Sequence, residues 1–126
     1  MAHYLAKNGY DYNDPGAWQL VHDLTESFQY YLIKATVDLA QEKGACEYSH
    51  RTKYGNGILP IDTYKKDVDE IVPNELKYDW ESLRDRVKKY GVRNSTLSAQ
   101  MPSESSSVVS NATNGIEPPR GYLSIK

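Results

Sequence analysis

The chain has 126 residues, of which 39% are hydrophobic and 25% are charged, a balance typical of one folded domain. Its formal net charge of −2 argues against a nucleic-acid surface, because contact with a phosphate backbone requires a surplus of lysine and arginine. The one cysteine, Cys46, excludes an intramolecular disulfide and favours the cytoplasm, and no apolar run approaches the roughly 20 residues that a membrane span requires.

A long amphipathic helix is predicted near the N-terminus. Asp14 is suited to capping the first amides, Pro15 fits the first turn, and Gly44 favours the left-handed conformation that ends a helix. These signals predict a helix from about 15 to 43, which requires a large partner surface. Its apolar stripe is predicted to consist of Leu20, Leu24, Phe28, Leu32, Ala35 and Leu39.

A second helix is predicted to begin after the capping residue Asp79 and to end at Gly91. Its predicted apolar face consists of Trp80, Leu83, Val87 and Tyr90. Residues 45–78 are predicted to be mostly irregular, because the Gly-Asn-Gly turn at 55–57 interrupts any regular pattern. Within them we expect one helical turn at about 64–69.

The last third of the chain predicts an α/β arrangement. Small and β-tolerant residues over 92–99 are typical of a buried strand, which ends at Pro102. A short helix then follows, and the apolar run over 121–125 predicts a final strand. Two strands cannot bury so much helix, so the sequence indicates an incomplete domain. Because that run stops at Lys126 without a polar tail, we expect the chain to end within a strand.

The serine-rich stretch at 102–107 is the most informative local feature. A strand that leads through proline and small hydroxyl residues into a short helix directs unpaired N–H groups and a positive dipole end at one point. Such a point suits a phosphate group. Composition alone favours a flexible serine-rich linker equally, whereas the apolar neighbours Met101, Val108 and Val109 favour an ordered turn.

No other group of residues forms a self-sufficient catalytic set. Tyr30 and Tyr31 lie inside the long helix, where packing is a better interpretation than a redox role. Cys46 has no histidine or acid at the spacing of a dyad. The histidines lack ligand spacing, and the acidic residues near 67–70 are more typical of a solvated face than of a cation site, so we expect no metal site.

The stretch over 80–102 resembles the signature of ribonucleotide reductase large subunits. That signature has a tryptophan, a leucine three residues later, a glycine after a gap, a hydrophobic residue, an arginine or aromatic residue, an asparagine or histidine, and small residues before a proline. The matching positions are Trp80, Leu83, Gly91, Val92, Arg93, Asn94, Ser98, Ala99 and Pro102. Residues 57–66, 111–122, 4–7 and 44–46 are also similar to class Ia large subunits, so the resemblance extends over essentially the whole chain.

The resemblance implies that residues 1–126 are a fragment of the catalytic domain, a ten-stranded α/β barrel in the C-terminal half of that subunit. The expected order is long helix, irregular region, helix, strand, phosphate loop with short helix, and strand. The resemblance also implies a loop that holds the diphosphate of the substrate, formed by Pro102, Ser103, Glu104, Ser105 and Ser106. Glu104 would contribute its backbone N–H, because its carboxylate repels phosphate. Ser105 stands where the family often has threonine and keeps the hydroxyl group.

The implied function is part of the reduction of ribonucleoside diphosphates to deoxyribonucleoside diphosphates for DNA synthesis, in the cytoplasm. The family's thiyl-radical cysteine, reducing cysteine pair, C-terminal tyrosines and N-terminal ATP domain have no counterpart here. We therefore expect a split or truncated subunit that is inactive alone, with no catalytic residue and no cofactor of its own. The whole enzyme would need the remaining large-subunit segments, a small subunit with a metal-radical cofactor, and ATP or deoxynucleotide effectors. The alternatives are a non-catalytic truncated fragment and a detached phosphate-binding module.

Overall fold

Helices dominate the computed structural model, which describes residues 1–72, 75–119 and 121. The α-helices of this part are α1 (Ala2–Lys7), α2 (Pro15–Lys43), α3 (Pro60–Thr63), α4 (Trp80–Tyr90) and α5 (Glu104–Val109). Shorter 3₁₀ turns occur at Ser49–Arg51, Tyr54–Asn56 and Lys66–Glu70. None of the described helices is both long and apolar enough to cross a membrane. The chain divides into two compact units, Met1–Val21 with Ala99–Lys126, and His22–Ser98.

The long helix α2 has the bounds that its terminal signals predict. The Asp14 carbonyl oxygen accepts the first helical bond from the Ala17 N–H at 2.9 Å. At the other end Gly44 adopts a φ of +84°, and its N–H donates to the Ala40 carbonyl oxygen at 2.9 Å. Glycine tolerates this left-handed conformation without a Cβ clash, so the helix ends there. The prediction of a helix from 15 to 43 is confirmed.

The predicted apolar stripe of α2 was wrong. Phe28 is 60% exposed and Leu39 is 37% exposed, whereas the helix buries a different face. The residues of α2 that are buried within the His22–Ser98 unit are Glu26, Ile33, Thr36, Val37 and Ala40. Apolar residues occur on both faces of this helix, and spacing alone could not identify the face that packs against the rest of the unit.

The core of the His22–Ser98 unit lies between α2 and α4. Its buried residues are Ile33, Val37, Leu59, Trp80, Leu83, Val87 and Val92. The Asp79 carboxylate accepts the Ser82 N–H at 2.9 Å and caps α4, and Gly91, at a φ of +72°, ends it. Both predicted caps of the second helix are confirmed. The Tyr30 ring stacks on Tyr78 with ring centres 4.5 Å apart, which confirms that Tyr30 is a packing residue.

Two side-chain hydroxyl groups anchor the segment after α4. The buried Thr36 hydroxyl oxygen accepts the N–H groups of Arg93 and Asn94 at 3.1 and 2.8 Å. The Val92 N–H donates to the Ser49 hydroxyl oxygen at 3.0 Å. These bonds occupy donors that a β-ladder would use.

No strand occurs within residues 1–72, 75–119 and 121, and residues 92–99 are irregular there. A strand exists only with a paired neighbour, so the α/β barrel remains a prediction. Apart from Gly121, the final strand predicted over 121–125 lies outside the described residues. The expectation that the chain ends within a strand concerns the same residues.

The predicted irregular region between α2 and α4 contains short helical turns and is held on α4 by Arg84. The Arg84 guanidinium donates to both carboxylate oxygens of Asp62 at 2.6 and 2.9 Å and also contacts Glu81 at 2.9 Å. The predicted helical turn lies at Lys66–Glu70, two residues later than its expected start.

We expect Asp62 to make the unfolding of this unit sensitive to acid. The Arg84 guanidinium and the Leu59 N–H lower the pKa of Asp62 from 3.8 to about 2. A depressed folded-state pKa contributes stability above the ordinary pKa, and that contribution is lost as the pH falls through about 2. Asp62→Asn should therefore flatten the loss of unfolding free energy between about pH 4 and pH 2, measured by urea denaturation. The control is Asp67→Asn, at an exposed aspartate 3.6 Å from Lys65. Parallel pH profiles for the Asp62 variant and the parent would contradict this role.

The other unit joins α1 and the start of α2 to the segment around α5. Among the described residues of this unit, Leu5, Ala17 and Ser107 are buried. The helix α5 has six residues and ends in a Schellman motif, in which the Ala112 N–H donates to the Ser107 carbonyl at 2.9 Å and the Asn111 N–H donates to Val108 at 3.1 Å. Asn111 adopts a φ of +50°, a left-handed conformation that asparagine tolerates better than most residues.

Candidate functional site

The predicted phosphate loop lies at the start of α5. Ser103 is the N-cap residue, and the first helical positions are Glu104, Ser105 and Ser106. Pro102 and these first three helical residues are exposed, and Ser103 is half-buried. The predicted residues therefore lie together on one exposed turn. Their proximity follows from their being consecutive residues at the start of a helix.

The hydroxyl groups of this loop are not equivalent. The Ser106 hydroxyl donates to the Ser103 carbonyl oxygen at 2.6 Å, and the Ser107 hydroxyl donates to the Glu104 carbonyl oxygen at 2.6 Å. Such bonds to the preceding turn are common for serine in helices. Within the described part of the chain the Ser105 hydroxyl has no such partner, so its proton is available to a ligand.

The backbone N–H groups of the loop also differ in whether they have a hydrogen-bond partner. The Ser103 side chain makes no capping bond, so its hydroxyl oxygen does not occupy the first-turn N–H groups of Ser105 and Ser106. The Ser103 N–H, in contrast, donates to the Asn114 side-chain oxygen at 2.6 Å. No local signal in the sequence gives Asn114 a role in this loop. Its Asn-Gly pair signals a turn, but the partner of that turn is eleven residues away in sequence and could not be identified locally.

The loop offers neutral donors and one acid. No lysine or arginine occurs in the sequence between Arg93 and Arg120, whereas Glu104 lies in the first turn of α5. Glutamate at this position interacts favourably with the helix dipole. It also repels a second negative group, so an anion at this turn would be held by N–H and O–H groups and not by side-chain cations of 94–119.

The remaining candidates of the sequence analysis lie in the His22–Ser98 unit. The Tyr31 ring is 55% exposed and makes edge contacts with Tyr30 and Tyr78 at 5.6 and 5.4 Å. Cys46 is a free, half-buried thiol that packs against the core. Among the described residues, no three or more His, Cys, Asp or Glu side chains come together as metal ligands would.

This unit also has an open cavity of about 430 Å³. Its lining residues are Thr52, Lys53, Tyr54, Ile58, Leu59, Pro60, Thr63 and Ser95. The residues predicted to bind substrate do not line this cavity.

The comparisons with known proteins agree with the resemblance of the signature. The family model described as the ribonucleotide reductase barrel domain matches residues 1–126. The chain belongs to this family. It is 62% identical over 125 residues to ribonucleoside-diphosphate reductase subunit alpha of Haemophilus influenzae, a match that covers 99% of this chain and 16% of that protein.

Two further relatives show the same proportions. The chain is 62% identical over 126 residues to ribonucleoside-diphosphate reductase 1 subunit alpha of Escherichia coli, covering 100% of this chain and 17% of the relative. It is 53% identical over 125 residues to the ribonucleoside-diphosphate reductase subunit alpha of Enterobacteria phage T4, a match that covers 99% of this chain and 16% of that protein. The chain thus spans 16% to 17% of the length of these curated relatives.

Within this reductase family segment, the signature residues before the loop have structural contacts. Trp80, Leu83 and Val92 are buried in the core. The Arg93 and Asn94 amides are fixed by Thr36. The signature then ends at Pro102, where the serine-rich turn begins. Packing in the core therefore explains the tryptophan and the leucine of the signature. It does not explain the exposed serines that follow the proline.

Proposed function

We propose that this chain contributes to the reduction of ribonucleoside diphosphates to deoxyribonucleoside diphosphates, as the segment that binds the substrate's diphosphate. Family membership over the full chain and the naming of its relatives as ribonucleoside-diphosphate reductase alpha subunits support the reaction. The observation that carries the binding role is the exposed first turn of α5, where the Ser105 hydroxyl and the N–H groups of Ser105 and Ser106 have no partner among the described residues. N–H groups at the start of a helix point outward along its axis, and such donors suit the terminal oxygens of a phosphate.

The proposed contacts are to phosphate alone. The N–H groups of Ser105 and Ser106 and the Ser105 hydroxyl donate to phosphate oxygens, and charged acceptors make such bonds stronger than those between neutral groups. Glu104 contributes its N–H while its carboxylate faces away from the anion. Pro102 has no N–H to donate and fixes the backbone before the turn. Because no donor of the turn is directed at a base, purine and pyrimidine diphosphates are expected to bind alike.

The chemistry of the reaction belongs in this proposal to other parts of the assembly. We propose that the remaining large-subunit segments and the small subunit act together with this chain in the cytoplasm. A metal-radical cofactor on the small subunit would supply the radical, and ATP or deoxynucleotides would act as effectors. The residues of this chain bind and orient the substrate by its diphosphate, which restricts the position of the ribose without contacting it.

Titration of the isotope-labelled chain with diphosphates tests this proposal. We expect ADP, GDP, CDP and UDP to shift the backbone amide signals over 103–106 in a saturable way and with similar affinities. Adenosine, which has the base and ribose without phosphate, should leave these signals unchanged. Absence of saturable shifts in the loop would contradict the phosphate-binding role and favour a non-catalytic fragment. Equal shifts with adenosine would show that the loop recognises something other than phosphate.

A further inference from the structure

The capping of α5 is carried out by a residue that lies beyond its C-terminal end. An N-cap serine ordinarily accepts an amide of its own first turn through its side chain, but Ser103 makes no such bond. Instead, the Asn114 side-chain oxygen accepts the Ser103 N–H at 2.6 Å. The bond fixes the backbone at the N-cap residue of the loop without using the N–H groups of Ser105 or Ser106.

The path of the chain explains how Asn114 reaches the start of the helix. The left-handed residue Asn111, with a φ of +50°, reverses the chain directly after α5. The glycine after Asn114, Gly115, has a φ of +68° and turns the chain again. The short length of α5, six residues, keeps its two ends close enough for this closure.

The returning turn is itself held from two sides within the same unit. The His3 N–H donates to the Thr113 hydroxyl oxygen at 3.0 Å. The Tyr12 hydroxyl lies 3.1 and 3.2 Å from the Ile116 and Glu117 carbonyl oxygens, to which it donates. Burial raises the pKa of Tyr12 above its ordinary value, which favours the protonated hydroxyl that donates these bonds. Residues on both sides of Asn114 are therefore fixed, and its carboxamide is held against the loop.

We infer that Asn114 is a positioning residue for the diphosphate, acting through Ser103. This inference rests on the proposed function and extends it to a residue outside the loop. By holding the Ser103 amide, Asn114 sets the direction in which the next amides point before any ligand arrives. A pre-set donor array avoids the entropy cost of ordering the loop on binding. Asn114 therefore affects phosphate affinity without touching phosphate.

Two variants separate this role from a general effect on folding. Asn114→Ala removes the acceptor, whereas Asn114→Asp keeps an acceptor and adds a negative charge beside the loop. We expect Asn114→Ala to speed hydrogen exchange at the Ser103 amide and to weaken binding of all four diphosphates by about two- to tenfold. Asn114→Asp should restore slow exchange at Ser103 but still bind diphosphates more weakly than the parent, because its charge repels the anion.

The matched control is Asn8→Ala, which removes one exposed asparagine bond of the same unit, from the Asn8 side-chain nitrogen to the Tyr4 carbonyl at 2.7 Å. It should leave Ser103 exchange and diphosphate affinity unchanged. If Asn114→Ala bound diphosphates as tightly as the parent, or if the Ser103 amide exchanged rapidly in the parent, the inference about Asn114 would be wrong. The proposal that the loop binds phosphate would not be affected by either result. Failure of the parent to bind any diphosphate would overturn both the loop and the inference.

Discussion

Replacing Glu26 with alanine is expected to lower the free energy of unfolding by about 3 kcal/mol. The Glu26 carboxylate lies on α2 in a residue that is 7% exposed. One of its oxygens accepts the Trp80 indole N–H at 2.9 Å and the backbone N–H groups of Lys77 and Tyr78 at 2.9 and 3.2 Å. Alanine would leave these donors without an acceptor, and each orphaned buried donor costs about 1–3 kcal/mol. Lys77 is exposed, so its amide can form a hydrogen bond with water in the variant. The expected loss of stability is therefore smaller than the sum of three orphaned donors.

Urea denaturation followed by tryptophan fluorescence measures this loss, at an unchanged dependence on urea concentration. Glu26→Gln keeps one oxygen acceptor but places an NH₂ group among donors, so it should lose an intermediate amount. The control is Glu42→Ala on the exposed face of the same helix, which should change stability by less than about 0.5 kcal/mol. Equal stabilities of the Glu26 and Glu42 alanine variants would show that the indole bond does not matter for folding.

The elements that the sequence predicted correctly have local signals. Asp79 caps the helix that begins one residue later, and Gly91 ends it, so both ends of α4 are specified within a few residues. The same holds for Pro15 and Gly44 at the ends of α2. These signals depend on the backbone groups of one turn and are independent of the rest of the fold.

The contacts that the sequence could not predict join distant residues. The sequence presents Glu26 as an ordinary polar position of an amphipathic helix. It is nevertheless buried, because it accepts hydrogen bonds from the Lys77 and Tyr78 amides before α4 and from the indole of Trp80, the first residue of α4. For the same reason the buried face of α2 was assigned to Phe28 and Leu39 and not to Ile33 and Val37. The candidate loop was located from its serines and from the family resemblance, but its bond to Asn114 depends on a chain reversal at Asn111.

We expect Ser105→Ala to weaken the binding of all four ribonucleoside diphosphates by about tenfold or more. The Ser105 hydroxyl is exposed, and no group in the described part of the chain accepts its proton. A hydrogen bond to a charged acceptor contributes about 1.5–3 kcal/mol, and each 1.4 kcal/mol corresponds to about a factor of ten in affinity. The amides of the first turn remain in this variant, so binding should weaken without disappearing.

Ser106→Ala should have a smaller effect, below about threefold, because the Ser106 hydroxyl proton is already donated to the Ser103 carbonyl oxygen at 2.6 Å. The double variant should therefore resemble Ser105→Ala and lose at least about tenfold in affinity. Dissociation constants from the amide shifts over 103–106 decide between the two serines, with Ser82→Ala on the exposed face of α4 as the control. Unchanged affinity in the double variant would exclude a hydroxyl contact to phosphate. A loss confined to one base would mean that the loop reads the nucleoside, because a contact made only to the diphosphate weakens every substrate equally.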